Sequence, residues 1–312
     1  MGTVSSWNIL FVTTILSNLI FACHISAQTI PKEELIFLTS EWKGERFPDG
    51  RPKIPDNLLK RARYIMIDDA WTVLKNEGYV NQFEGNWTTV NDSPMTGRAL
   101  TAMYMPSRPD VEKHIKARGA LQGRKGNTNA WPIDVLNTGD IYIADAFGKI
   151  SGGSILGATL ANSVYSKSGN GVVFNGAARD LQELKNIRGF NAFVRDFHPS
   201  FTEEMVLMGL NTAIRIGNVM VLPGDLVIAQ KEGVLFVPAH LAEQVVNTGE
   251  FVIRKDQFGF KMVRAGKYST GEIDSQWTNE IKNEFLQWLE KHPELGKMTR
   301  AEVDNMMSKR TW

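Results

Sequence analysis

The 312-residue sequence predicts an α/β sandwich built on a mixed sheet. Three observations lead there. Short apolar, strand-like runs recur between residues 99 and 240 with stretches of helical spacing between them, so both element types belong to one unit. They do not alternate strictly, which argues against a doubly wound parallel sheet. A composition of 43% hydrophobic and 22% charged residues describes a folded chain long enough for a sizeable core. With 35 Lys+Arg against 34 Asp+Glu the formal net charge is +1. No whole-chain footprint for nucleic acid or an anionic membrane follows, and small or neutral partners are the default.

Taken in order, residues 9 to 22 (ILFVTTILSNLIFA) are apolar but interrupted by Thr13, Thr14, Ser17 and Asn18, too short and too polar for a comfortable membrane span. They read as the core of a signal peptide over residues 1–27, cleaved after Ser26 and Ala27, although no Lys or Arg precedes them. The expected location is therefore exported, periplasmic or secreted. The single cysteine, Cys23, falls inside that leader, so a mature chain beginning near Gln28 would carry no disulfide and no thiol nucleophile. A lipid anchor on Cys23 is the alternative, since LIFAC is an imperfect lipobox. Residues 28–56 are rich in turn formers and read as a surface arm. Asn57 to Gly78 has helical apolar spacing.

Strands are expected at 99–106, 139–145, 171–176 and 191–197, with helices at about 156–167 and 180–187. Residues 217–240 read as three short strands joined by turns at Pro223-Gly224-Asp225 and Lys231-Glu232-Gly233, and a helix follows from about Ala239. The resulting core domain spans 57–266. From 267 to 312 the texture changes to short amphipathic helices, the last opening with a capping box from Thr299 to Glu302.

The five histidines show no His-x-x-x-His spacing, and neither a P-loop nor a G-x-S-x-G elbow occurs. His198 in RDFHPS is a loose functional candidate whose plainer reading is structural. SGGSILGATLANS (151–163) is a glycine-rich turn entering a helix, where backbone N–H groups and the positive helix end could hold a carboxylate. Equally, Gly152, Gly153 and Gly157 could serve only close packing. SGNGVVFNGAARDL (168–181) ends an apolar run in Arg179 and Asp180. An Asp at a helix start that stabilises the macrodipole, beside an Arg paired with a surface acid, explains that dipeptide without a ligand. Arg195-Asp196 repeats it with no glycine-rich companion.

Taken together, GDIYIADAFGKISGG, LGATLANSVYSKSGNGVVFNGAARDLQEL, GFNAFVRDFHPS and VLPGDLVIAQKEGVLFVPAHLAEQVV resemble the RraA-like family, which includes 4-hydroxy-4-methyl-2-oxoglutarate aldolases and the regulator of ribonuclease activity A. The likeness extends over about residues 95–250, and the arm and C-terminal helices resemble the longer, exported-looking members. It implies a swivelling β/β/α sandwich assembled as a homotrimer or homohexamer, with sites at subunit boundaries. It also implies an activity: cleavage of an oxo-acid substrate with Mg²⁺ or Mn²⁺, by retro-aldol reaction or oxaloacetate-type decarboxylation. On the matching positions Asp180 would hold the metal, Arg179 the keto-acid, and the turn Gly157-Ala158-Thr159-Leu160 the carboxylate. A non-catalytic binding or regulatory protein is the competing expectation. Three positions depart from the family pattern: Ala158 stands where the aldolases carry an acid, Asn175 replaces a common Asp, and Gln230 an often acidic position. Loss of a proton-transferring acid typically costs about 10²–10⁴-fold.

Overall fold

The computed structural model describes residues 29–309. The expected leader, its cleavage point and Cys23 lie outside the described residues. The chain begins with α1 (Lys32–Leu38), α2 (Asp56–Ala62) and α3 (Ile67–Asn76), then β1 (Phe83–Glu84), β2 (Thr88–Thr89) and β3 (Met95–Pro106). Next come α4 (Pro109–Leu121), α5 (Trp131–Asp134), β4 (Asp140–Leu156), α6 (Ala158–Ser168), β5 (Val172–Ala178), α7 (Leu181–Lys185) and β6 (Ala192–Phe197). Strands β7 (Met205–Leu210), β8 (Ile214–Ile216), β9 (Val219–Val221), β10 (Leu226–Gln230) and β11 (Gly233–Val237) complete the sheets. Four helices close the chain: α8 (Ala242–Arg264), α9 (Thr270–Ile273), α10 (Asn279–Glu290) and α11 (Arg300–Lys309).

Nine strands form one sheet in the order β1-β11-β10-β3-β4-β5-β6-β2, with β7 also pairing β3. The centre, β3-β4-β5-β6, is parallel and the flanks are antiparallel, so the sheet is mixed as expected. Alternation along the strands sorts the core into two faces. Leu100, Ala102, Tyr142, Ala144, Val172 and Phe174 point to one side, under α4 to α7. Ile141, Ile143, Val173 and Phe193 point to the other, beneath the β8-β9 hairpin. The layers are therefore small sheet, large sheet, helices. β5 is buried along nearly its whole length, which is why its sequence is an unbroken apolar run rather than an alternating one.

The arm is tied down by charge. Arg51 and Arg98, fully buried, share the buried Asp140, with Nη1 of Arg51 2.9 Å from its carboxylate. At the other end, Phe251, Phe258, Phe285 and Trp288 build a separate apolar cluster between α8 and the terminal helices. The Thr299–Glu302 capping box is present: the Glu302 N–H donates to Thr299 Oγ1 at 3.2 Å and the Glu302 carboxylate accepts the Thr299 N–H.

Several expectations are corrected. The helix over Asn57–Gly78 is two helices: the chain turns at Arg63–Met66, where Met66 is extended and the pair Asp68, Asp69 restarts a first turn. The strand at 139–145 runs on to Leu156, because successive bulges absorb the glycine-rich segment that reads as a turn. Helices α4 and α5 and strands β7 and β8 are additional to the expected elements, and a short 3-10 turn at Ala239–Leu241 precedes α8.

Candidate functional site at the ends of the parallel strands

Two chain segments meet beyond the carboxyl ends of the parallel strands, where open α/β sheets place their ligands. One is the β4-to-α6 junction. The β4 backbone passes from Asp145 to Leu156 while β5 advances only from Asn175 to Ala178, so the register shifts three times and the extra residues are thrown outward. Gly152 sits there at φ +70, and a Cβ on it would lie 2.9 Å from Cδ of Glu204. A Cβ on Gly153 would lie 2.5 Å from Cγ of Lys149. Both glycines serve the bulge rather than helix packing. The other segment is the end of β5, where Arg179 donates its backbone N–H to the Leu156 carbonyl at 2.9 Å and joins the two.

Asp180 follows in a left-handed conformation, φ 63 and ψ 40, an arrangement that short polar side chains tolerate best. It opens α7 but makes no side-chain cap there. Its carboxylate instead crosses to α6, where Oδ2 accepts the Ala158 N–H at 3.0 Å. Gly157, the residue before α6, has no side chain of its own to cap that helix. A Cβ at Gly157 would lie 2.4 Å from Asp180 Oδ2 and 3.0 Å from Arg179 Nε, so only glycine admits the pair. The macrodipole explanation of Asp180 is thus correct in kind and misplaced in address: the anion sits on the N-terminus of a different helix.

Arg179 is less engaged. Its Nη1 is 3.5 Å from Asp180 Oδ1, and its guanidinium lies 4.8 Å from the centre of the Phe201 ring. Arg179 and Asp180 are each one-third exposed. The structure therefore brings together Gly157, Ala158, Arg179 and Asp180, with Thr159 and Leu160 on the same first turn of α6. The N–H groups of such a turn have no partner within the helix. Phe201, 58% exposed, is a neighbour that sequence reasoning missed; the signal was an aromatic two residues after His198-Pro199.

Asn175 belongs to another group. On the hairpin-facing side of the sheet, Asn175 donates to Asp145 at 3.0 Å and accepts from Arg195 Nε at 2.9 Å. Arg195 also reaches Glu84 and the Gly85 carbonyl and stacks 4.0 Å from the Trp87 ring. An Asp in place of Asn175 would set two carboxylates side by side, which accounts for the amide. Gln230 lies elsewhere, donating to the Ile65 carbonyl at 2.8 Å. His198 donates its backbone N–H to Ala178 and holds Nδ1 2.9 Å from Ser200 Oγ. Ser200 in turn accepts the Gly152 N–H at 2.8 Å, so this histidine braces the bulge.

Among the described residues no group of three His, Cys, Asp or Glu could enclose a metal ion. Asp180 alone fits a hard, largely hydrated ion such as Mg²⁺, which commonly takes one or two carboxylates and keeps several waters. It does not fit a closed protein cage.

A family model described as RraA-like (Aldolase/RraA) matches residues 65–236. The chain is 26% identical over 164 residues, half of its length and 93% of the relative's, to a 4-hydroxy-4-methyl-2-oxoglutarate aldolase of Thermus thermophilus. It is 23% identical over 104 residues to an uncharacterised protein of Methanocaldococcus jannaschii, a match that spans half the length of that relative. The crystal structure of Streptomyces coelicolor RraAS2, an unusual member of the RNase ES inhibitor RraA family, superposes with a TM-score of 0.57 at 23% identity. That superposition covers 67% of this chain and 99% of that one, and shows a shared fold.

Proposed function

The chain belongs to the RraA-like family, and on that premise we propose that it is a divalent-metal-dependent lyase acting on an oxo-acid. The observation that supports this best is the pairing of a half-engaged cation, Arg179, whose one near carboxylate is Asp180 at 3.5 Å, with that carboxylate's own seat at a helix N-terminus. Arg179 would bind the carboxyl and keto oxygens of the substrate and oppose the negative charge that develops on the keto oxygen as the C–C bond breaks. The first-turn N–H groups of Thr159 and Leu160 would orient the substrate carboxylate. Asp180 would hold a hydrated Mg²⁺ or Mn²⁺, which when bound supplies Lewis-acid stabilisation of the same charge. Phe201 backs the guanidinium and limits its swing. The open, one-third-exposed setting of the pair suits completion by a second copy in a homotrimer or homohexamer.

Ala158 decides between the two reactions. Retro-aldol cleavage requires a proton to leave a hydroxyl, and Ala158 offers no group to take it; decarboxylation has no such demand. Decarboxylation of an oxaloacetate-type acid is therefore favoured over cleavage of a 4-hydroxy-2-oxo acid. The same residue favours the second reading, a ligand-binding or regulatory protein of this fold without turnover.

The test is release of pyruvate, detected by a coupled assay, from oxaloacetate and from a panel of 4-hydroxy-2-oxo acids in Mg²⁺. Arg179→Ala serves as the blank for reaction catalysed by the free ion. Turnover of oxaloacetate above that blank supports the lyase; wild type and variant alike on every substrate, with pyruvate or oxalate still bound, leaves the binding protein.

A further inference from the structure

Far along the sheet from Arg179, the arm and the core enclose a cavity of about 300 Å³. It has an aromatic lining: Trp42 from the arm, Tyr79 after α3, and His240 before α8. The Tyr79 hydroxyl lies 3.3 Å from His240 Nε2, and the two rings are tilted at 56°. Trp42 donates its indole N–H to the Glu45 carbonyl at 2.8 Å, and Gly44 packs flat on the ring, so the indole has a fixed place. Two buried polar groups of the wall present oxygen acceptors. Asp225 is 4% exposed, with Oδ2 accepting the Leu222 N–H at 2.8 Å. Gln82 commits its amide N–H to the Phe236 carbonyl, which leaves its oxygen as the accepting end. Glu41 stands at the rim.

No lysine or arginine lines this cavity. Burial holds the His240 pKa below its ordinary value, so the imidazole is not a competing cation near neutral pH. A space lined by Trp42, Tyr79 and His240, with Glu41 at its rim and no lysine or arginine in its lining, has the electrostatics that attract a cation. A bare divalent metal does not fit: it demands six or more oxygens at short range, and the apolar walls cannot supply them.

We propose that this cavity binds a small organic ammonium ion, held by cation–π contact with Trp42 and Tyr79, by the charge of Glu41 and by the carboxyl oxygens of Asp225. The site is separate from the Arg179–Asp180 pair and independent of the lyase reading. Because the arm supplies Trp42 and Glu41, an occupant would also tie the arm to the core.

Calorimetric titration of the intact chain with choline, and with its neutral carbon isostere 3,3-dimethylbutan-1-ol, tests this. Choline is expected to bind at least about tenfold tighter than the isostere, because only the charge differs. Tyr79→Leu and Glu41→Gln should each weaken choline about three- to tenfold, and Arg179→Ala should leave it unchanged. Glu41 is exposed, so its variant keeps the fold even if Tyr79→Leu does not. Equal affinity for choline and the isostere overturns the proposal, as does absence of choline binding up to about 50 mM. Weakening by Asp180→Asn but not by Glu41→Gln would place the cation in the other site and overturn it equally.

Discussion

The dipeptide Arg-Asp closes two neighbouring parallel strands, at Arg179-Asp180 after β5 and at Arg195-Asp196 in β6, and the two copies live differently. Arg195 is saturated: Asn175, the Gly85 carbonyl, Glu84 and the face of Trp87 use its donors and its plane. Its partner Asp196 is exposed and accepts the adjacent Phe197 N–H, at 2.8 Å. Arg179 by contrast has one carboxylate at 3.5 Å and an aromatic ring, while Asp180 is drawn to a helix end. Identical residues become a brace in one strand and an open pair in the next. The cause is the surroundings: the loop between β1 and β2 folds over Arg195, whereas the bulged end of β4 leaves Arg179 uncovered.

The largest expected effect comes from giving the open pair the acid it lacks. Ala158→Asp should raise the rate of retro-aldol cleavage by up to about 10²–10⁴-fold with ligand affinity little changed. Steady-state kinetics with pyruvate detection reads both quantities, and tighter binding without faster turnover would contradict it. Next, Arg179→Ala should lower kcat/KM by about 10²–10³-fold and shift folding stability by less than about 1 kcal/mol. Asp180→Asn should likewise remove the stabilisation that Mn²⁺ confers in thermal melts.

A pH-dependent background must be separated from both pairs. Burial pushes the carboxyl of Asp225 up to about 7. Its folded pKa exceeds the unfolded one, so its contribution is fully present below about pH 4 and is lost as the pH rises through about 7. Wild type measured against Asp225→Asn in urea should therefore lose on the order of 2–4 kcal/mol between those limits. A difference that is flat across that window would show an ionised Asp225.

Arg195→Ala should do the reverse of Arg179→Ala, costing about 1–3 kcal/mol of stability because Glu84 is left four-fifths buried without its cation. Any retained activity per folded molecule should match wild type. The smallest effect is expected for Gly157→Ala, whose methyl must displace the Asp180 carboxylate; Mn²⁺ affinity should fall about tenfold with little change in melting temperature. Unaltered affinity would mean that Asp180 is not the ligand.

How much of this was legible depended on whether the signal was local. β5 could be read because a doubly buried strand must be apolar throughout. Helix α4 could not: of its residues only Ile115 and Gly119 are buried, too few to print a periodicity. β4 was cut short because Gly148, Gly152 and Gly153 look like a turn, and only the pairing with β5 shows them to be bulges inside a strand. Within the site, the sequence pattern picked out Arg179, Asp180 and the Gly157–Leu160 turn. It could not tell that Asp180 caps α6 rather than α7, because that choice rests on a contact between residues 22 apart. Nor did it show what occupies Arg195, whose partners Glu84, Gly85 and Trp87 lie more than a hundred residues earlier in the chain.

The carboxylate of Asp180 gives the helix end a resident occupant. On the proposed reading, an oxo-acid carboxylate at the Thr159 and Leu160 N–H groups would sit beside an anion the protein already holds on the Ala158 N–H, and the two negative charges would repel. A cation bound by Asp180 would relieve that repulsion. Anion and cation would consequently raise each other's affinity by the same factor, as linkage requires, and the chain would act as a coincidence detector for the two.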